Sequence, residues 1–200
     1  SLGIHAAFED IDAMAAEMVG SMIEQALGEN DVFRDICVTA AGEAETALAD
    51  AISSGRITLE DMFDSNYAII PGTNPTQFST GFVELTDAVL TPIQEHHKER
   101  DDRIRLLCAT DRNGYIGTHN VAVSKPQRPD DPVWNAANCR NRRIFDDRAG
   151  LLAAGNREPS QLQTYVRDMG GGKKVLLKEI DAPITLSGRH WGNMRCAFVP

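Results

Sequence analysis

The sequence lacks the features that mark membrane-spanning and secreted proteins. No apolar run approaches the length of about 18 residues that a transmembrane helix needs, so no direct membrane insertion is expected. The first residues, SLGIHAAFED, have no basic segment followed by an apolar one, so no signal peptide is expected. The four cysteines are far apart and form no CxxC pair, which is typical of reduced, buried thiols in a cytoplasmic protein rather than of a disulfide framework, so a cytoplasmic location is predicted.

Catalytic and nucleotide-binding motifs are also missing. The sequence contains no GxSxG, no HExxH and no P-loop, and the glycine-rich stretch GGGKK (170–174) lies between two strand patterns, which predicts a hairpin turn. The histidines are not spaced as HxH or HxxxH, so no metal or haem cofactor is expected. We therefore predict that the protein is not an enzyme.

The net charge of −9 is unevenly distributed. Residues 1–64 carry 2 basic and 14 acidic side chains, whereas residues 65–200 carry 18 basic and 15 acidic ones. The acidic part argues against binding to nucleic acid or to an anionic membrane surface, and the slightly basic part can accept a small anion. The same asymmetry predicts two domains, 1–64 and 65–200.

The first predicted domain has the periodicity of helices. Apolar residues recur at three- and four-residue steps over residues 8–26 and again over residues 33–51, with Gly28, Glu29 and Asn30 interrupting the pattern. This spacing predicts a helical hairpin. Its methionine- and alanine-rich face either packs on its own domain or forms a homodimer.

The second predicted domain changes to the periodicity of strands. IRLLCAT (104–110) and YIGTHN (115–120) flank the turn sequence DRNG, which predicts a hairpin, and a long polar segment, 121–160, follows. Helices followed by about five antiparallel strands make an α+β fold with the layout of a PAS- or Cache-like sensor module. The later strand patterns are LQTYVRD (162–168), KVLLKEIDAPITLSG (174–188) and RHWGNMRCAFV (189–199).

The polar segment contains the stretch WNAANCRNRRIFDDR (134–148), which holds four arginines, three asparagines and two aspartates. A guanidinium group binds carboxylate or phosphate through two parallel hydrogen bonds and keeps its charge when it is buried. Two interpretations remain open. Either the arginines pair with Asp146, Asp147 and Asp168 and hold the segment on the sheet, or at least one of them contacts a ligand. The arginines concerned are Arg140, Arg142, Arg143 and Arg148.

Other residues join these arginines as candidate ligand contacts. Trp134 and Asn138 are suited to forming an aromatic and amide wall, although asparagines more often cap turns. A neighbouring arginine is expected to lower the pKa of the Cys139 thiol, which leaves redox sensing as an alternative. The remaining candidates are Tyr115, His119, Asp146 and Tyr165.

Four stretches resemble the sensory domain of a group of bacterial methyl-accepting chemotaxis proteins: NGYIGTHN, WNAANCRNRRIFDDRAGL, LQTYVRDMGGGKKVLLKEIDAPI and GRHWGNMR. The resemblance covers residues 65–200 closely and the preceding helices loosely. It implies a PAS/Cache-like fold and a homodimer joined to the cytoplasmic signalling helices of a receptor. Two pairs depart from the family pattern, Gly117-Thr118 and Met194-Arg195, and neither is expected to touch the polar cluster.

These observations predict a ligand-sensing domain of a bacterial chemoreceptor. A small polar, anionic molecule would lie between the sheet and residues 121–160, and its binding would change the packing of the N-terminal helices. The alternatives are a structural or dimerisation domain that binds no ligand, and a haem or redox sensor.

Overall fold

The computed structural model describes the backbone of residues 2–168 and 174–200. Within these ranges, side chains are described except at residues 2–13, 16, 24–27, 29 and 168. The chain forms two compact units, Ser1–Asp35 and Ile36–Pro200. None of the described helices has the length and apolar character needed to cross a bilayer.

The first helix, α1, runs without interruption over Leu2–Ser53. The break predicted at residues 28–30, and with it the helical hairpin, is therefore wrong. One glycine inside a helix costs only about 1 kcal/mol, which neighbouring helix-favouring residues outweigh. In the first compact unit, three methionines of α1 are each more than half exposed: Met14, Met18 and Met22.

The part of α1 that belongs to the second unit has one fully buried face, as its periodicity predicts. Alanines make up much of this face, so neighbouring elements can approach the helix axis closely. The buried residues are Ile36, Cys37, Ala40, Ala44, Leu48 and Ala51.

The elements after α1 confirm the α+β class. They are α2 (Leu59–Met62), β1 (Ala68–Ile70), β2 (Gln77–Ser79), α3 (Val83–Lys98), β3 (Ile104–Asp111), β4 (Tyr115–Ile116), α4 (Pro132–Asn138), β5 (Arg143–Ile144), α5 (Arg148–Gly155), β6 (Gln161–Asp168), β7 (Lys174–Leu186) and β8 (Arg189–Phe198).

The main sheet has four antiparallel strands in the order β3-β8-β7-β6, whereas five were predicted. The stretch YIGTHN supplies only β4, which pairs with β5 instead of β3. The outer edge of β3 is occupied by side-chain amides instead. Leu107 N–H donates to Asn120 Oδ1 at 3.0 Å, and Ala109 N–H donates to Gln94 Oε1 at 2.9 Å. These contacts satisfy backbone groups that a fifth strand would otherwise pair with.

The sheet has two faces with different coverings. Strand alternation places Tyr165, Glu179 and Arg195 on one face, which residues 121–160 cover. On the other face, Cys37 of α1 donates from Sγ to the carbonyl oxygen of Ile180, at 3.2 Å. The turn predicted at residues 170–172 lies outside the described residues, but β6 and β7 on either side of it pair as expected.

The segment 121–160 is more regular than the sequence suggested, because it contains α4, β5, α5 and a short 3-10 helix, Val121–Val123. Aspartates begin both α-helices. Asp131 accepts a hydrogen bond from Trp134 N–H at 3.0 Å, and Asp147 accepts one from Gly150 N–H at 2.8 Å. Such N-caps satisfy backbone donors that a helix leaves unpaired in its first turn. Asp147 is therefore a helix cap.

Candidate functional site

A cavity of about 400 Å³ lies between the main sheet and the covering segment. Strands β3, β6 and β8 form one wall, and residues between β4 and α5 form the other. We call it the cationic cavity, because four arginines line it. Its lining consists of Leu106, Ile116, His119, Arg140, Arg143, Phe145, Asp147, Ala149, Tyr165, Val166, Arg167 and Arg195.

Phe145 positions two of these arginines. The guanidinium carbon of Arg140 lies 4.9 Å from the centre of the Phe145 ring, and that of Arg143 lies 5.0 Å from it. Cations at this distance are attracted by the ring face. Phe145 is itself fixed through its backbone, because its N–H donates to Gly114 O at 2.8 Å. A Cβ at Gly114 or Gly150 would overlap the carbonyl oxygen of Phe145, so both positions require glycine.

Three nitrogen atoms in the wall are buried and have no hydrogen-bond partner within the described part of the chain: His119 Nε2, Arg140 Nε and Arg167 Nε. The other ring nitrogen of His119, Nδ1, accepts from Asn120 N–H at 2.7 Å. A neutral imidazole with this contact carries its proton on Nε2. All three atoms are thus donors, and an unpaired buried donor costs about 1–3 kcal/mol.

Positive charge in the wall exceeds negative charge. Burial, with Arg167 and Arg143 nearby, lowers the pKa of Arg140 to about 9. Burial, with Arg140 and Arg167 as the next causes, holds the pKa of His119 well below its usual value, so the imidazole is neutral. Both shifts arise because burial and neighbouring arginines disfavour the protonated, charged form. A bound anion would offset the repulsion between these cations.

Arg195 differs from the other arginines because it has a buried partner. Its Nη2 lies 2.9 Å from Glu179 Oε1, and the two side chains are 6% and 0% exposed. Glu179 also accepts hydrogen bonds from Tyr165 Oη at 2.9 Å and from Gln163 Nε2 at 3.0 Å. Asp181 lies beside this pair, and burial followed by the Glu179 charge raises its pKa well above the usual value.

Four of the nine predicted contact residues line the cavity together: Arg140, Arg143, His119 and Tyr165. Arg142 points away from it, because its backbone adopts a positive φ of 61° between two arginines that face the cavity. Its guanidinium forms two hydrogen bonds to Asp87, at 3.0 and 2.5 Å. Arg142 therefore holds the covering segment on α3. Its partner is Asp87 of that helix, and not Asp146 or Asp147, which follow it closely in the sequence.

The other four predicted contacts lie outside the cavity lining. Tyr115 is buried in the core and donates from its hydroxyl to Phe78 O at 2.8 Å. Trp134 stacks under the guanidinium of Arg128, with 3.7 Å between that carbon and the ring centre. Asn138 donates from Nδ2 to Trp134 O at 2.9 Å. Asp146 is exposed to solvent.

Sequence reasoning missed two arginines of the cavity, Arg167 and Arg195. Arg167 had a detectable signal, because strand alternation in LQTYVRD places it on the same face as Tyr165. The pairs Gly117-Thr118 and Met194-Arg195 do touch the polar cluster, contrary to expectation. Arg195 lines the cavity, and Gly117 O accepts a hydrogen bond from Arg142 Nη1 at 2.7 Å.

The cysteines are free and buried. Burial raises the pKa of Cys139 and outweighs the lowering effect of the nearby Arg128 and Arg143, so the net shift is upward instead of downward. Among the described side chains, no group of three or more His, Cys, Asp or Glu residues is placed to hold a metal ion.

Comparison of the chain with models of protein families and with curated proteins finds no match.

Proposed function

We propose that residues 36–200 form a sensory domain that binds a small anion in the cationic cavity. The observation that carries this proposal is the wall of three buried, unpartnered donors among the described residues, with excess positive charge around them. A ligand with acceptor atoms only, such as a carboxylate, satisfies those donors and offsets the repulsion between the arginines. Catalysis is not required.

The signal would pass from the cavity to α1 through the sheet. Arg195 and Glu179, on β8 and β7, belong to the cavity side of the sheet. The neighbouring residues in these strands, including Ile180 and Met194, offer their carbonyl oxygens to Cys37 of α1 at 3.2 and 3.4 Å. A ligand that shifts Arg195 would therefore move the strand segments on which α1 rests. Such a change counts as signalling when the ligand favours one of two arrangements.

We further propose that α1 forms a homodimer through its exposed methionines. Met14, Met18 and Met22 are spaced by four residues and so lie on the same side of the helix, where 66%, 64% and 64% of their surface is exposed. Exposed stripes of this kind are typical of helix–helix interfaces. The resemblance to chemotaxis receptors supports the same arrangement, with the domain joined to signalling helices in the cytoplasm and with a PAS/Cache-like fold.

Isothermal titration with acetate, benzoate, succinate and phosphate tests the binding site. We expect at least one anion to bind, and we expect Arg140→Gln to weaken binding by at least tenfold, because it removes both charge and donors. Arg157→Gln is the matched control, since Arg157 is exposed and lies outside the cavity lining. Failure of every anion to bind, or equal effects of both substitutions, would refute the proposed site.

Disulfide cross-linking tests the dimer and the signal together. Met18→Cys is expected to form a covalent dimer under mild oxidation, at a rate that changes when the bound anion is added. Gly20→Cys is the control, because Gly20 lies about 200° around the helix from Met18 and should cross-link slowly. The native cysteines are buried and should not contribute. Equal rates for both variants would contradict the proposed interface.

A further inference from the structure

A second cavity, of about 450 Å³, adjoins the cationic one. The two share His119 and Arg167 in their walls. We call the second one the apolar cavity, because most of its other lining residues are aliphatic. These other lining residues are the aliphatic Val123, Ala137, Val175, Leu177 and Val199, together with Arg105.

The apolar cavity is poorly suited to water. A buried water molecule typically needs two to four polar partners. The unpartnered donors among the described residues, His119 Nε2 and Arg167 Nε, stand where the two cavities meet. Beyond them the lining offers one polar side chain, the exposed Arg105, whose Nη1 already donates to Asp102 O, and the rest is aliphatic. Hydrocarbon fills such a space more favourably, because each buried methylene contributes about 0.8 kcal/mol.

The donors at the junction also determine which chemical group can form the polar end of a ligand. An ionised carboxylate only accepts hydrogen bonds and has about four lone-pair positions, which suits nearby donors from an imidazole and two guanidinium groups. An ammonium group would need acceptors. The carboxylate in the wall, Asp147, already accepts from Gly150 N–H.

We propose that both cavities hold one ligand, a straight-chain monocarboxylate of medium length. Its carboxylate lies beside His119, Arg140 and Arg167, and its hydrocarbon chain extends along Val175, Leu177 and Val199. This inference rests on the proposed function, since it assumes that the cationic cavity binds an anion.

Calorimetric titration of the whole chain with butyrate, hexanoate and octanoate, and with octanol as an uncharged probe, tests the inference. We expect affinity to rise by about fourfold for each added methylene. We expect octanol to bind at least tenfold more weakly than octanoate, because it cannot offset the arginine charges.

Val175→Phe is designed to fill the apolar cavity. It should remove the dependence on chain length, so that octanoate binds no more tightly than butyrate, and Val133→Phe is the control because Val133 is 75% exposed. Circular dichroism establishes that each variant folds, and Val199→Phe replaces Val175→Phe if that variant does not.

Three results would overturn the inference. If carboxylates bind with no dependence on chain length, or if octanol binds as tightly as octanoate, the inference fails and the cationic cavity must be used differently. If no carboxylate and no other anion binds, the proposed function fails, and this inference fails with it.

Discussion

Replacement of Glu179 by Gln tests the electrostatic arrangement at the sheet side of the cavity. The substitution keeps the shape of the side chain but leaves Arg195, which is 6% exposed, without its anion. Removing one partner of a buried ion pair typically costs about 3–5 kcal/mol, because the other charge remains buried and uncompensated. For a chain of this size, the melting temperature should therefore fall by about 6–20 °C.

Urea unfolding followed by tryptophan fluorescence, to which the buried Trp191 contributes, measures this loss. Glu158→Gln is the matched control, because Glu158 is exposed and should change stability by less than about 0.5 kcal/mol. The double variant Glu179→Gln/Arg195→Met should recover much of the lost stability, since no unpaired charge remains. A loss below about 1 kcal/mol for Glu179→Gln would refute the reasoning.

Further predictions concern pH, the covering segment and the thiols. Because the pKa of Asp181 is raised in the folded state, its contribution to stability is full below the unfolded value of about 3.9 and is lost as pH rises through the folded value. The free energy of unfolding measured in urea between pH 4 and pH 8 should therefore decline with pH in the original protein, and Asp181→Asn should remove that component. Arg142→Ala, which breaks a half-buried contact with Asp87, should cost about 1–2 kcal/mol in the same assay. It should leave anion affinity, measured by calorimetry, within about threefold; a larger loss would place Arg142 at the ligand. All four thiols are buried, so a colorimetric thiol reagent should react with none in the folded protein and with four after denaturation. Rapid reaction of a native thiol would favour a redox sensor.

Some parts of the fold followed directly from the sequence pattern. The buried face of α1 from Ile36 to Ala51 was predictable because a helix buried on one side repeats apolar residues at its own period. The pairing of β6 with β7 was predictable because two strand patterns flank a glycine-rich reversal. In both cases neighbouring residues carry the information.

The parts of the fold that were predicted wrongly depend mainly on contacts between residues that are far apart in the sequence. The stretch after β3 does not pair with it, because Gln94 and Asn120 occupy the backbone groups of that edge. Nothing in the local pattern indicates this. Propensity also failed at Gly28, where the helix continues through the glycine.

The candidate site shows the same limit at the level of single side chains. Arg140, Arg142 and Arg143 are close in sequence, yet the positive φ of Arg142 sends its side chain towards Asp87 while the other two face the cavity. Composition indicated the segment that covers the cavity and the residue type that lines it. It did not separate the arginine that holds the segment from those that line the cavity, because backbone conformation decides between them.

The two walls of the cavity are built in different ways. Glu179 and Arg195 belong to strands whose pairing maintains the sheet, whereas Phe145 and Arg140 belong to a segment outside that ladder. Under the proposed function, substitutions in the segment would therefore change the anion selectivity without breaking the strand pairing. A designer who wanted a biosensor built on the proposed site would begin at Phe145 and leave the paired strands untouched.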